Sequence, residues 1–342
     1  MVKNPLSFQL KAEDFLPASE EEKQGLVVMR DSVGFWRDSL RRLVKNKVAM
    51  VSLFVIVVIM FFSFVVPSFY PYSYEQQQKG AENLRPMTYS QAEQERIANG
   101  EKVTPHFLGT DKLGRDYAVR IMVGSRISMT VGLVAAVIIL VIGALYGSIA
   151  AFFGGWVDII MMRIVDIIYS LPDMLIIILL KVVLDERLRF QPGSFLDKLG
   201  TSMVSLFIVF GLLYWVSMAR LIRGQILTIK ENEYILAARS IGAKPGRIIR
   251  KHILPNCLSV IIISTALQIP SAIFTESFLS FIGIGVKAPM PSLGSLANAA
   301  REGLQSYPYK LVFPALMICL IVLSLNLLGD GLRDAFDPKL RR

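Results

Sequence analysis

Residues 127–157, "ISMTVGLVAAVIILVIGALYGSIAAFFGGWV", run for 31 positions without one charged side chain. A helix rises ~1.5 Å per residue and a bilayer's hydrocarbon core is roughly 30 Å thick, so about 20 such residues cross it. In water this run would need a large apolar core to hide in. In lipid only its backbone groups need partners, and a helix supplies those internally. The rest of the chain points the same way: of 342 residues, 53% are hydrophobic and 19% charged, too little polar surface for a soluble protein of this size. The expected fold is an all-α polytopic integral membrane protein.

Five further spans follow from the same rule. Val48 to Val66 is charge-free and ends at Pro67. Val157 to Val183 follows a Gly154-Gly155 turn and is interrupted by Arg163, Asp166 and a Leu171-Pro172 kink. Leu199 to Ala219, Ile253 to Gly285 and Leu311 to Gly329 complete six. The chain then divides into an arm (1–47), a first span (48–70), a connecting loop and pre-helix (71–126), a five-helix core (127–330) with an inserted loop (220–256), and a tail (331–342).

The formal charge is +10, but the basic residues flank spans, which fits membrane topology better than nucleic-acid binding. Residues 37–47 hold five Lys/Arg against one acid, and 220–252 hold eight against two. Residues 71–125 are balanced, seven to seven. The positive-inside rule therefore puts both termini and the 220–252 loop in the cytoplasm, and the long loop outside, in a multi-pass protein of the cell membrane. Arg115, Arg120 and Arg126, close to the second span on the outer side, run against the rule. The first 36 residues are polar and mixed in charge, so a cleavable signal peptide is not expected. Cys257 and Cys319 sit in apolar runs without metal-ligand spacing and read as ordinary small side chains. Gly143 and Gly147 form a small-xxx-small pair suited to close helix approach, with Gly132, Ala135 and Ala136 earlier on the helix.

Between the fourth and fifth spans lies "EYILAARSIGAKPGRIIRKHILPN", 233–256. Tyr234, Ile235, Ala238 and Ile241 recur at helical spacing, with Arg239 on another face. Gly242 is suited to stop that helix and Pro245 to open a second one, 246–254, before Pro255-Asn256 leads into the fifth span. Ala237, Ala238 and Gly242 would offer a smooth face to a partner protein. Periodicity alone leaves a second reading open, a hairpin lying on anionic lipid through Arg247, Arg250 and Lys251.

Charges at membrane depth cost roughly 2.5–3.5 kcal/mol on insertion scales, so they should face protein or water. Arg163 and Asp166 are spaced to pair at i,i+3 and read as structural. Glu276, inside the fifth span, either faces a path through the membrane or caps an outer half-helix. Asp330, Arg333, Asp334 and Asp337 at the end of the sixth span read as a structural ion-pair and capping cluster. His106 and His252 are too far apart in this topology to share a metal, so no metal site is expected. The chain carries no G-x-x-x-x-G-K-[ST] loop and no nucleophile–base arrangement, so no catalysis is expected of it.

Ala237-Ala238, three residues, Gly242, then Leu254-Pro255 resembles the coupling ("EAA") loop of ABC-importer permeases. Leu236 stands where that family has Glu, and His252 where Ile is usual; both are similar to the oligopeptide/dipeptide branch. "HFLGTDKLGRDYAVRIMVGSRIS" (106–128), "MRIVDIIYSLP" (162–172), "TESFLSFIGIGVKAPMPSLGSL" (275–296) and "NLLGDGLRDAFDPKLRR" (326–342) also resemble that branch, in particular the second permease of its pair. Residues 71–105 match it least. The resemblance implies a non-catalytic transport subunit forming half of a translocation pathway. Its partners would be a homologous second permease, two cytoplasmic ABC ATPase subunits, an extracytoplasmic peptide-binding protein and membrane lipid. It implies no cofactor on this chain, with ATP and Mg on the ATPases, and no nucleic acid. The implied ATPase-coupling residues are Glu233, Tyr234, Ala237, Ala238, Arg239, Gly242, Ala243, Leu254 and Pro255. Related permeases serving nickel, glutathione or another small solute share the architecture. A secondary transporter would need a mid-membrane ion site and no docking loop.

Overall fold

Where every backbone group must find its partner inside its own segment, helices result, and the computed structural model of the chain, which describes residues 35–336, is built from them. Residues 1–34 of the arm and 337–342 of the tail, Asp337 among them, lie outside the described residues. Helix α1 (Phe35–Lys45) leads to α2 (Lys47–Met60), whose first turn is capped by the Asn46 side chain accepting from the Ala49 amide at 3.2 Å. A π turn and a 3-10 turn carry α2 on to Ser68. The connecting loop holds α3 (Gln91–Ala98), and Asp116 caps the 37-residue α4 (Tyr117–Phe153). Then come α5 (Gly155–Tyr169), α6 (Asp173–Arg187), α7 (Phe195–Leu199), α8 (Thr201–Leu213) and α9 (Trp215–Lys230). The short α10 (Glu233–Ser240) and α11 (Pro245–Ile248) precede α12 (Leu254–Phe281), followed by α13 (Leu293–Ala300) and α14 (Tyr309–Phe336). Among the described residues no strand forms, only isolated bridges at Thr88–His106 and Thr110–Asp116.

Five helical stretches are long and apolar enough to cross a membrane: Lys47–Ser68, Tyr117–Phe153, Thr201–Lys230, Gly246–Phe281 and Tyr309–Phe336. The α5–α6 pair is bent by 86°. Five of the six expected spans are therefore in place, the bent α5–α6 pair stands at the position of the third as a broken span or a re-entrant loop, and the structure refines three of the expected spans. The third is broken, because Pro172 pushes Leu171 out of helical geometry. The fourth continues past Ala219 to Lys230, since the arginines that seemed to end it find carboxylates on α5. The fifth begins at Gly246, because a π turn at Ile249–Ile253 joins α11 to α12 without a break. That turn sits where the helix must accommodate Pro255, which has no N–H to donate.

Helix α4 lies at the centre of the packing. A Cβ added at Gly143 would come within 2.6 Å of Met218 Cβ, and one at Gly147 would land on the Ala219 carbonyl. Gly132 meets Ile273 in the same way. The small-residue positions thus seat α9 and α12 against α4 within one chain. Val137, Val141 and Leu145 on α4 are exposed, as a lipid-facing side would be. The loop 69–116 and the α13 region gather at one end of the bundle. The α9–α12 connection lies at the other.

Candidate functional site

The α9–α12 connection is a hairpin whose corner is set by hydrogen bonds. Gly242 has φ +78°, its amide donates to the Arg239 carbonyl at 2.9 Å, and the Ala243 amide donates to the Ala238 carbonyl at 3.1 Å. Those two bonds are a Schellman cap, which uses a glycine's tolerance of positive φ to close the last carbonyls of α10. The sequence reading of Gly242 as the stop is what the structure shows. Ile235 and Ala238, three apart, pack inward against Ile226, Ile248, Ile253 and Cys257. Outward lie Glu233, Tyr234, Leu236, Ala237, Arg239, Ile241 and Gly242, with Ile241 85% exposed.

Two expectations change here. Ala238 is buried rather than part of a smooth outer face, because it shares the inner side of α10 with Ile235. Ile241, expected on that inner stripe, follows the last helical residue and swings outward. Between α10 and the second arm of the hairpin runs an open groove of about 710 Å³, lined by Tyr234, Ala237, Ala243, Lys244, Arg247 and His252 among others. The Asn256 amide bonds the Tyr234 hydroxyl at 3.1 Å, tying α10 to the first turn of α12 beside Pro255. Leu254, half-buried, and the exposed Pro255 lie within the continuous helix and not at a boundary.

This hairpin lies within residues 143–342, which match the family described as "binding-protein-dependent transport system inner membrane component". Residues 34–86 match "N-terminal TM domain of oligopeptide transport permease C". The chain belongs to this permease family. It is 40% identical over 330 residues to the oligopeptide transport system permease protein OppC of Bacillus subtilis, covering 96% of this chain and 97% of that one. It is 42% identical over 335 residues to the dipeptide transport system permease protein DppC of the same organism, covering 98% and 95%. The glutathione transport system permease protein GsiD of Pectobacterium atrosepticum is 34% identical over 306 residues, covering 90% and 92%. The protein is a membrane permease subunit of an ABC importer.

The permease's other polar residues sort by what they touch. Glu276 is fully buried, accepting hydrogen bonds from Ser128 of α4 and from Ser280 at 2.7 Å each, and from Ser277 at 3.3 Å. The Ser128 hydroxyl lies 3.4 Å from the Leu293 amide, and the Ser280 hydroxyl accepts from Val286. The carboxylate therefore ties α4 and α12 to the segment leading into α13. Asp166 pairs with Arg220 of α9 at 2.8 Å and not with Arg163, which is exposed. Arg220 also stacks on the Tyr169 ring at 4.2 Å, a fixed seat that a neighbour one turn away on α5 does not offer. Asp330, Arg333 and Asp334 are exposed and form no ion pair among the described residues. At exposed positions such pairs gain little, in keeping with the lack of pairing among the described members of the expected cluster.

Sequence reasoning missed three sets of charges. Asp158 is bound by both Arg223 nitrogens at 2.5 Å. Lys181, fully buried, pairs with Asp185 at 2.7 Å, and Asp185 also meets Lys287, Ser202 and Ser205. Lys230 caps the end of α4 through the Ala151 and Phe152 carbonyls. A lysine four residues before an aspartate inside an apolar run was the available signal for the second. At the opposite end of the bundle His106, also fully buried, has Nδ1 2.7 Å from Asp116 and Nε2 3.2 Å from Glu93, the latter contact too oblique for a hydrogen bond. Tyr72 stacks on the ring at 4.5 Å. His106 and His252 lie at opposite ends of the bundle, and no group of metal-binding side chains forms among the described residues.

Proposed function

We propose that this permease carries oligopeptides or dipeptides, and that the hairpin at 233–256 is where its ATPases engage. The observation that carries the substrate is similarity at 40% and 42% identity, over nearly the whole chain, to permeases named for those substrates. The arm, the hairpin and the tail face the cytoplasm, as their basic flanks favour, and the loop 71–116 faces outward. The chain hydrolyses nothing itself and needs no cofactor. ATP and Mg belong to two ABC ATPase subunits, and the pathway is completed by a homologous second permease and fed by an extracytoplasmic peptide-binding protein.

The hairpin suits coupling because both its ends are anchored. Helix α10 follows α9 directly, and α11 runs unbroken into α12, so a displacement of the exposed Tyr234, Leu236 and Ile241 moves two spans together. ATP-driven closure of the ATPases would bias the bundle between outward and inward access. Glu233 and Arg239 lie at the exposed rim of α10, Ala243 in the groove.

Co-purification of ATPases with wild type and with Gly242→Arg tests the docking. The variant is expected to insert in the membrane and to lose its ATPases; retention of both ATPases and uptake overturns the assignment. Uptake of labelled di- and tripeptides against glutathione and nickel tests the substrate. Glutathione is the second reading, favoured by the 34% match to a glutathione permease, and preferential glutathione uptake would replace the first.

A further inference from the structure

The break between α5 and α6 faces a second break, at Tyr214 between α8 and α9. With α12 they line a partly open pocket of about 200 Å³, in which Tyr169, Leu171 and Asp173 are exposed. Its polar lining is Tyr169, Asp173, Tyr214, Ser217, Gln268 and Ser271. Asp173 opens the second half of the bent span, and Tyr214 and Ser217 lie midway along the 30-residue Thr201–Lys230 stretch. The cavity is therefore within the membrane-spanning part and not at either surface.

A carboxylate there needs a reason. The positive end of the α6 dipole favours Asp173, but that effect is small beside the cost of a charge at membrane depth. Asp173 forms no ion pair among the described residues, and Arg220, on the neighbouring α9, is taken by Asp166 and the Tyr169 ring. Along the broken span Asp158 is matched by Arg223, Asp166 by Arg220 and Asp185 by Lys181, and Glu186 is exposed near its far end. Asp173 is left facing a cavity with hydroxyls, a carboxamide and two tyrosines.

We infer that this cavity is a mid-membrane subsite for a primary ammonium, the amino terminus of a peptide in transit, with Asp173 as its counter-ion. The inference rests on the peptide reading above. An ammonium presents three donors and no acceptor, and the lining offers acceptors to match: the carboxylate, the Gln268 carbonyl oxygen and the Ser217 and Ser271 hydroxyls. The Tyr214 ring suits the same charge, while the Tyr169 ring is already covered by Arg220. One carboxylate is too few for a divalent cation, whose sites gather several charged or carbonyl oxygens. The cavity has room for an amine end and not for a whole oligopeptide, which would let chains of different length use one anchor.

The test uses the complete transporter in proteoliposomes, with labelled trialanine at saturating loaded binding protein, reading uptake and ATP hydrolysis separately. Asp173→Asn is expected to slow uptake about tenfold, the loss of one charge-assisted contact, while stimulated ATP hydrolysis persists; Asp173→Glu should restore most uptake. A merely structural role would lower both readouts together. Uptake by Asp173→Asn at the wild-type rate overturns the subsite and leaves the peptide reading standing. Failure of the wild type to take up trialanine overturns both. Should Asp173→Asn not assemble, Gln268→Leu and Ser271→Val take its place; each is expected to slow uptake about threefold, and unchanged uptake in both overturns the subsite.

Discussion

The two ends of this bundle are built on opposite plans. At the 69–116 end, charge is turned inward: His106, Glu93 and Asp116 are all at most 4% exposed and meet one another. Arg115 and Asp111 pair beside them at 2.7 Å. At the hairpin end, charge is turned outward: Arg239, Lys244, Arg247, Arg250 and Lys251 are exposed beside Ile241 and Leu236. An end that satisfies its own polar groups holds its shape alone. An end that shows apolar side chains within a basic field is shaped for something to cover it. Substitutions at the first should therefore cost stability, and at the second assembly.

The largest stability loss is expected for Asp116→Ala. It removes the side chain that caps α4 at the Val119 amide, 2.9 Å away, and the close partner of a buried imidazole. Stripping one member from a buried pair costs roughly 3–5 kcal/mol, and a lost cap about 1 kcal/mol more. Thermal unfolding of the purified permease in detergent should show a clear fall in midpoint. A change no larger than that of a surface substitution would mean the inward-turned plan is not what holds this end.

The same knot makes this end respond to pH. Burial pulls the His106 pKa down, but the hydrogen bond to Asp116 and the charges of Glu93 and Asp116 outweigh it, so the pKa rises above its usual 6.5. Burial likewise pushes Glu93 up, yet bonds from Ser90 and the charge of His106 take it below its usual 4.5. A raised histidine contributes fully below about pH 6.5 and loses that contribution as pH climbs through its folded value. A lowered glutamate contributes above about pH 4.5 and loses it as pH falls through its folded value. The 72–116 segment should thus be tightest between those limits. Its hydrogen-exchange protection, taken relative to the intrinsic rate at each pH, should fall above pH 6.5 in wild type and stay flat there in His106→Gln. The hairpin, with no such buried pair, should show no change over that range.

How much of this was legible in the sequence differs between the ends. The spans follow from hydrophobic runs, which report burial in lipid directly, and Gly242 followed from local backbone chemistry. What failed to show were contacts between distant segments. Nothing near Asp166 in sequence favours Arg220 over Arg163; only the packing of α9 on α5, through Gly143 and Gly147 on the neighbouring α4, brings it there. His106 looked like a lone histidine because its partners are 13 residues before it and 10 after, joined by a loop without periodicity. Glu276 was left between a path and a cap, since Ser128, one of its serines, comes from a distant stretch of chain. The inward side of α10 was read correctly at Ile235, but Ala238 was given to the outer face as well, and the stripe was extended to the exposed Tyr234 and, past the point where the helix ends, to Ile241.

At the hairpin, Gly242→Ala is the next largest effect on stability. Space around the missing Cβ is open, with no atom within 4 Å, so the cost is purely the positive φ, about 1–2 kcal/mol for an L-residue. Gly242→Asn, which tolerates that geometry better, should cost less. Since α10 is short and most of its side chains are exposed, the loss should appear as local opening, read by hydrogen exchange at 233–243, with the global midpoint almost unmoved. An equal fall in the global midpoint would make the hairpin part of the bundle's own core.

Ile241→Asp should move stability least and therefore separates the ends most sharply. At 85% exposure the side chain has almost nothing to lose on the permease itself, and surface changes of this kind stay within about 0.5 kcal/mol. If the hairpin is covered by an ATPase, the new carboxylate is buried against it without an assigned partner, and the complex should lose its ATPases on purification while the permease keeps its unfolding midpoint. Fully retained ATPases would show that Ile241 lies outside the covered face, and Tyr234 and Leu236, on the other exposed side of α10, would then carry the contact. A lowered midpoint in the isolated chain would instead place Ile241 in packing the bundle makes for itself, and the contrast between the two ends would fail at its most exposed residue.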